Sequence, residues 1–358
     1  MSLTRSLVLL LPGSLLLGAC AVIEYDEPEP VFRQMVVVEQ QPLASHRFVL
    51  PTDGDVVGEL QVIRARYEDT FVDIARAYKL GYDELVHANP GVDPWLPGAG
   101  TRIVLPTQFV LPDAPREGIV LNIAAKRLFW YPRPGPGQVA EVWTFPVGIG
   151  REGWATPLGT HRVIAKATDP TWVVPDSIRR ERAAQGDPLP ARVPPGPDNP
   201  LGRHAMRLSL PSYLIHGTNR PDGIGMRVSH GCIQLFPEDI ESLYGMVGVN
   251  TPVHIVDQPL LAGWRDGNLY LEMHPPLAED KRDFAEQLQI KVQRHLQVRL
   301  GEIRPLDRGL LDSVLSERRG FPLPVLEPAA DIPTVIAKAR PVVNVVAAAV
   351  ANGRPVAP

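Results

Sequence analysis

Hydrophobicity comes in short runs along most of this chain, and a helical period appears in only a few places. Ile119–Ile123 and Arg127–Tyr131 predict a β-hairpin. Glu141–Val147, Gly159–Ala165 and Thr251–Val256 predict further strands. Val56–Pro106 has its own pattern. There Phe71, Ile74, Ala75 and Tyr78 fall on one helical face with Gly81 as the stop, YDELVHA predicts a second short helix, and Thr101–Leu105 a strand. Pro237-Glu238-Asp239 opens a helix that packs through Ile240, Leu243, Tyr244 and Val247. Phe284, Leu288, Val292, Leu296 and Leu300 recur every fourth residue in a helix predicted over 277–300, and a shorter one follows over 306–315. Pro175–Arg203 holds one short helix and then many prolines without a period. It reads as a wall or partial lid, with an inert insertion as the alternative, and Arg179, Arg180 and Arg182 as a solvated helix face.

The pattern centres on Ile215–Leu235, IHGTNRPDGIGMRVSHGCIQL. Apolar stretches flank it, and Thr218–Gly225 carries the Asn, Pro, Asp and Gly residues that reverse a chain. A hairpin-like return is expected to bring His216 beside Cys232. That pairing suits a thiol nucleophile, because a thiol at its free pKa needs a base or a nearby cation to ionise. An imidazole can take the proton and hand it to a leaving amine. Gly231 lets a carbonyl approach the backbone, whose N–H groups near Cys232 can receive an oxyanion.

HGTN, the glycine-rich spacer and SHGC resemble the signature of the L,D-transpeptidases, the YkuD-type domains that remodel bacterial peptidoglycan. Gly150–Thr160 (GREGWATPLGT) and Asp198–Gly202 (DNPLG) extend the likeness over roughly 118–257. The resemblance implies Cys232 as nucleophile, His216 as proton donor and acceptor, and the Gly217 carbonyl as the group orienting the imidazole. Ser229, His230, Gly231, Gln234 and Asn219 become oxyanion or substrate-binding residues, with His230 mainly in support. It implies no metal and no cofactor. The substrates it implies are peptidoglycan stem peptides, and the acceptor amine comes from a second stem or an envelope lipoprotein. Water as acceptor would make the protein an L,D-carboxypeptidase. The family usually has Arg two residues after the cysteine, and this chain has Gln234, which offers neutral hydrogen bonds in place of a bidentate charge.

Asp69-Thr70, ANPGVDPWLP and a closing IVLP give Val56–Pro106 a resemblance to the LysM module, which binds glycans containing N-acetylglucosamine. A structural cap is the plainer alternative. The expected fold is therefore α+β. A mainly-β L,D-transpeptidase domain (117–257) carries a small βααβ LysM-like domain (56–107) and a C-terminal helical extension (258–320). A Pro/Ala-rich tail (321–358) without structure ends the chain.

Composition changes this little. The 44% apolar and 21% charged residues are ordinary for a globular protein, and 358 residues leave room for two domains with tails. The 39 prolines, about twice the usual share, predict few helices. A net charge of −4 argues against nucleic acid as a partner and leaves no polybasic patch for a membrane.

The cysteines are Cys20 and Cys232. A disulfide between them is allowed by count, and separate roles argue against it. Residues 1–19 carry Arg5 and an apolar run broken by Pro12 and Gly13, which predicts a secretory signal. Leu17-Gly18-Ala19-Cys20 resembles a lipoprotein signal whose cysteine is acylated, a plain signal peptide being the alternative. Ala21 after it points, by that resemblance, to a lipid anchor in the outer membrane, on the periplasmic side of the cell envelope. Residues 20–55 read as a tether, with a short strand at Met35–Val38. Two rivals remain open. One is a zinc hydrolase using His216, His230 and Cys232, without the CxxC or HExxH that would support it. The other is a glycan-binding anchor whose catalytic domain has lapsed.

Overall fold

The structure, a computed structural model, describes residues 39–298 and 304–346. The predicted signal, Cys20, the strand at Met35–Val38, Leu300 and the chain beyond residue 346 lie outside the described residues.

β1 (Arg47–Val49), expected to be tether, pairs in register with the strand at Glu141–Pro146. β2 (Val56–Gly58) and β3 (Gln61–Arg64) follow, then α1 (Phe71–Tyr78), α2 (Tyr82–Ala88), β4 (Arg102–Leu105) and β5 (Gln108–Val110). Thr70 caps α1 by accepting the Asp73 N–H, and Phe71, Ile74, Ala75 and Tyr78 are its buried face. The stop is Lys79 rather than Gly81. Lys79 takes the left-handed conformation (φ 57°) and returns its N–H to α1, while Gly81 is extended and starts α2. The Gly81 N–H reaches the Glu84 carboxylate at 2.6 Å, the backbone half of a capping box.

The central domain continues through β6 (Gly118–Asn122), β7 (Arg127–Tyr131), β8 (Glu141–Pro146), β9 (Ile149–Gly150), β10 (Gly159–Thr168) and β11 (Trp172–Val173). Next come α3 (Asp176–Ala184), β12 (Arg192–Val193), β13 (His204–Leu208), β14 (Leu214–His216), β15 (Arg227–Ser229), β16 (Ile233–Gln234), α4 (Pro237–Met246) and β17 (Pro252–Val256). Nine strands form one sheet in the order β1-β8-β7-β6-β17-β10-β13-β14-β16. β17 lies near the middle of this sheet, parallel to β6 and antiparallel to β10. Every residue of β6 and β7 is buried because both faces of the sheet are covered. Ile119, Leu121, Leu128 and Trp130 face the core shared with Ile215, Ile233 and α4. Val120, Phe129 and Tyr131 face the core shared with α1 and α2.

The segment after 257, expected to be helical, opens with a hairpin, β18 (Leu260–Arg265) and β19 (Asn268–Met273). Its turn is Asp266-Gly267, both at positive φ, the dipeptide that favours tight hairpins. α5 (Phe284–Val298) starts at the first residue of the apolar stripe, later than the predicted start at 277. Asp283 accepts the N–H groups of Ala285 and Glu286, which sets its first turn. α6 (Arg308–Glu317), β20 (Leu323–Pro324), α7 (Ile332–Lys338) and β21 (Arg340–Pro341) complete the described chain. The stretch expected to be a structureless tail is thus ordered through Val346. Pro333 sits in the first turn of α7, where a missing N–H costs nothing. Val325, Val342 and Val346 are buried. β21 lies parallel to β3, so the C-terminal segment adds a strand to the βααβ unit.

Candidate active site

His216 ends β14, and Cys232 immediately precedes β16. The two strands are parallel, pairing Ile215 with Ile233 and His216 with Gln234, so the expected hairpin-like return is not what joins them. The intervening chain instead leaves the sheet, turns through Pro221–Gly223 and runs as β15 along β9 before coming back. In a parallel ladder, residues two apart share a face. Leu214, His216, Cys232 and Gln234 therefore share one face, opposite the fully buried Ile215 and Ile233. A strand spacing of ~4.8 Å and a two-residue rise of ~6.6 Å put the Cα atoms of His216 and Cys232 roughly 8 Å apart.

His216 is buried, and its Nδ1 lies 2.6 Å from the Gly217 carbonyl oxygen. A carbonyl can only accept, so Nδ1 carries the proton and Nε2 keeps its lone pair. Burial lowers the His216 pKa to about 4, against the pull of the Gly217 and Leu201 carbonyls. Leu201 belongs to DNPLG, whose buried Asn199 folds its loop by donating to three backbone carbonyls (Pro170, Val193, Pro194) and accepting the Leu201 N–H. That loop is packed against the Gly217 backbone. A Cβ on Gly202 would stand 3.2 Å from the Gly217 Cα, and Gly202 itself has φ 65°. Cys232 is half-buried, with Sγ 3.8 Å from the Ser212 carbonyl. Burial pushes its thiol up, partly offset by a hydrogen bond from the Leu214 backbone. Both directions favour a neutral imidazole and a neutral thiol at neutral pH.

The loop carrying the cysteine is held from several sides. Ser229 Oγ accepts the Gly231 N–H at 3.1 Å and donates to the Cys232 carbonyl at 2.6 Å. Thr156 donates to the Gly231 carbonyl at 2.8 Å. Gly231 is required by its φ of 100° and by Tyr213, whose ring would stand 2.8 Å from any Cβ. Gln234 exchanges backbone hydrogen bonds with Gly148 at 2.9 Å each way. Asn219 is exposed and donates to the Pro197 carbonyl, so it ties the spacer to the proline-rich loop.

Residues 116–255 match the family model described as the L,D-transpeptidase catalytic domain. The chain is 41% identical over 283 residues to the protein named Probable L,D-transpeptidase YbiS of Escherichia coli (strain K12), covering 77% of this chain and 90% of that one. It is 42% identical over 291 residues to Probable L,D-transpeptidase YcfS of the same strain, covering 79% and 89%. The chain belongs to the L,D-transpeptidase family. The solved catalytic domain of an Enterococcus faecium L,D-transpeptidase is 23% identical, covering 40% of this chain and 99% of that one, at a TM-score of 0.30, too low to carry a structural conclusion.

Around the cysteine loop, this transpeptidase domain also brings in side chains that motif reading did not single out. His230 Nε2 lies 3.1 Å from Glu181 Oε2 and 3.0 Å from Arg151 Nη2, and Arg151 pairs with Glu181. The Trp154 ring stands edge-on to the His230 ring at 4.8 Å. Burial lowers the His230 pKa, and the hydrogen bond from Arg151 holds the Glu181 carboxyl below its ordinary value. Glu181 is on α3, so the proline-rich insertion is attached to the loop that bears Cys232. Arg179 and Arg182 of the same helix pair with Asp176 and Asp187. Among the described residues, no three His, Cys, Asp or Glu side chains gather closely enough to hold a metal ion, so His216, His230 and Cys232 do not converge as ligands.

Proposed function

We propose that the chain is a cysteine-dependent L,D-transpeptidase acting on peptidoglycan stem peptides. The observation that supports this is that β14, which ends at His216, pairs in parallel with β16, which begins one residue after Cys232, with Nδ1 of His216 tied to the Gly217 carbonyl. The Cys232 sulfur attacks the carbonyl of the third stem residue while its proton passes to His216 Nε2. The amide of Cys232 receives the oxyanion. Collapse breaks the peptide bond, His216 returns the proton to the departing D-alanine amine, and a thioester remains. An acceptor amine then attacks the thioester, gives its proton to His216, and the thiol is restored. A stem amine gives a cross-link, a lipoprotein Lys gives protein attachment, and water gives carboxypeptidase action. Because both groups rest neutral, the proton moves as the sulfur attacks, rather than beforehand.

The remaining assignments belong to the same reading. His230 and Ser229 support the oxyanion loop, and Gln234, on the face of His216, meets the donor through neutral hydrogen bonds. The βααβ unit at 56–107 is a LysM-like glycan-binding module. Tyr67, Trp95 and Leu96 are exposed on its two long loops, which meet where the Phe71 N–H donates to the Pro94 carbonyl. Cys20 is the acylated residue of an outer-membrane lipoprotein facing the periplasm.

The test is mass spectrometry of purified protein exposed to tetrapeptide muropeptides. The wild type should gain the mass of a stem lacking its terminal D-alanine and release that residue. Cys232→Ala should do neither. Thioester formation in the alanine variant sinks the assignment, and glycan capture without acylation in the wild type favours a lapsed enzyme.

A further inference from the structure

Several polar contacts between the βααβ unit and the catalytic domain reach the chain that flanks Cys232. Arg76, on α1, makes a two-pronged pair with Glu238 in the first turn of α4, at 3.0 Å on each arm. Lys79, which ends α1, reaches the buried Asp239 at 2.7 Å. The Arg76 guanidinium also lies 5.8 Å from the centre of the Phe236 ring, four residues beyond the cysteine. α4 is the helix into which the cysteine segment feeds, so α1 fixes its starting end.

α2 reaches the other flank. The Tyr82 N–H donates to the Ile224 carbonyl at 3.2 Å, in the connection between His216 and Cys232. A Cβ on Gly225 would stand 2.3 Å from the Tyr82 nitrogen and 2.4 Å from the Gly81 Cα, so two backbones touch here. The stack continues inward. Gly225 donates to the Val147 carbonyl, Ile149 donates to the Met226 carbonyl, and Gly148 is bonded to Gln234. A continuous series of backbone contacts therefore runs from α2, through the turn and residues 147–149, to the residue two beyond the cysteine.

Resting on the cysteine mechanism above, we propose that the βααβ unit is a working part of the transpeptidase site. Its two helices hold the spacer turn and the start of α4, and through them the position of Cys232 relative to His216. Arg76, Lys79 and Gly225 are positioning residues. They touch no reacting atom, and they act by keeping the two strands in register around the thiol. Removing this support slows the attack of the sulfur, even on a substrate too small to engage any glycan groove.

The experiment measures the rate at which a carbapenem acylates Cys232 in the full chain, by mass gain, alongside thermal melting. A carbapenem carries no glycan, so its rate reports site geometry rather than glycan affinity. Arg76→Glu and Glu238→Arg should each slow acylation about tenfold. The double exchange should restore the rate. Gly225→Ala should slow it as well, by driving its Cβ into α2. Single variants at wild-type rate overturn the inference alone. So does slowing that tracks a lowered melting temperature and is not rescued by the double exchange. A wild type that is never acylated overturns the cysteine mechanism and this inference together.

Discussion

A buried imidazole whose pKa has fallen to about 4 keeps its lone pair across the whole neutral range. The acid limb of Cys232 acylation should therefore lie near pH 4, well below the ~6.5 of a solvated histidine. A pH–rate profile of carbapenem acylation checks this, and a limb near 6.5 would mean that His216 is solvated during attack. Stability carries the same sign. The unfolded histidine takes up its proton first as pH falls, so His216 disfavours the folded state increasingly from about 6.5 down to about 4, and has no such effect above that window. At this scale the sequence was most legible for His216 and Cys232, the residues proposed to react, whose types and flanking glycines point to that chemistry. Glu181 and Arg151 were not legible. They meet His230 only after the chain has folded back across 49 and 79 residues, and no local spacing records such a return. Tyr213 belonged to the apolar stretch expected as a strand before His216, yet its role in demanding glycine at 231 depends on a ring position that only the fold supplies.

Among the elements, strands were readable from short apolar runs, and their pairing was not. The turn residues of 218–225 correctly announced a reversal, but β9 and the neighbouring Gly148 are interposed, and β14 meets β16 in parallel. Asp266-Gly267 was a hairpin signal in plain view, overshadowed by the helical stripe that follows it. The insertion between β10 and β13 was open between a lid and an inert excursion. Its α3 contributes Glu181 to His230 and Arg151, and Asn219 holds the same loop from the other side. Glu181→Ala should loosen the 229–232 loop and slow acylation by roughly tenfold, short of the ~100-fold that a 1 Å misplacement of a reacting group can cost. Hydrogen exchange at the Gly231 amide should rise in the same variant. An unchanged rate with unchanged exchange would make α3 an ornament of the surface.

Across the described residues, the expected string of separate modules becomes a fused body. β1 joins the catalytic sheet, β21 joins the βααβ sheet, and Ile63 and Val62 on one strand face different cores. Two-residue strands pairing over such separations leave no periodic trace, which is why the tail looked empty. The join between the βααβ unit and the catalytic sheet includes Arg127 on β7 and Glu84 on α2, with side chains 1% and 6% exposed. The guanidinium makes a two-pronged pair at 2.6 and 2.7 Å, donates to the Lys79 carbonyl and Thr144, and lies 4.3 Å from the centre of the Phe109 ring. The carboxylate also accepts the Gly81 N–H, so both charges are satisfied. Removing one partner strands the other in a dry interface, which costs about 3–5 kcal/mol, whereas replacing both with apolar side chains costs far less. Urea unfolding should accordingly show Arg127→Met and Glu84→Met each losing several kcal/mol, and the double variant recovering most of it. Every variant should unfold in one transition, because the two units share a core. A separate early transition for the βααβ unit, or additive losses in the double variant, would mean that the halves are merely adjacent.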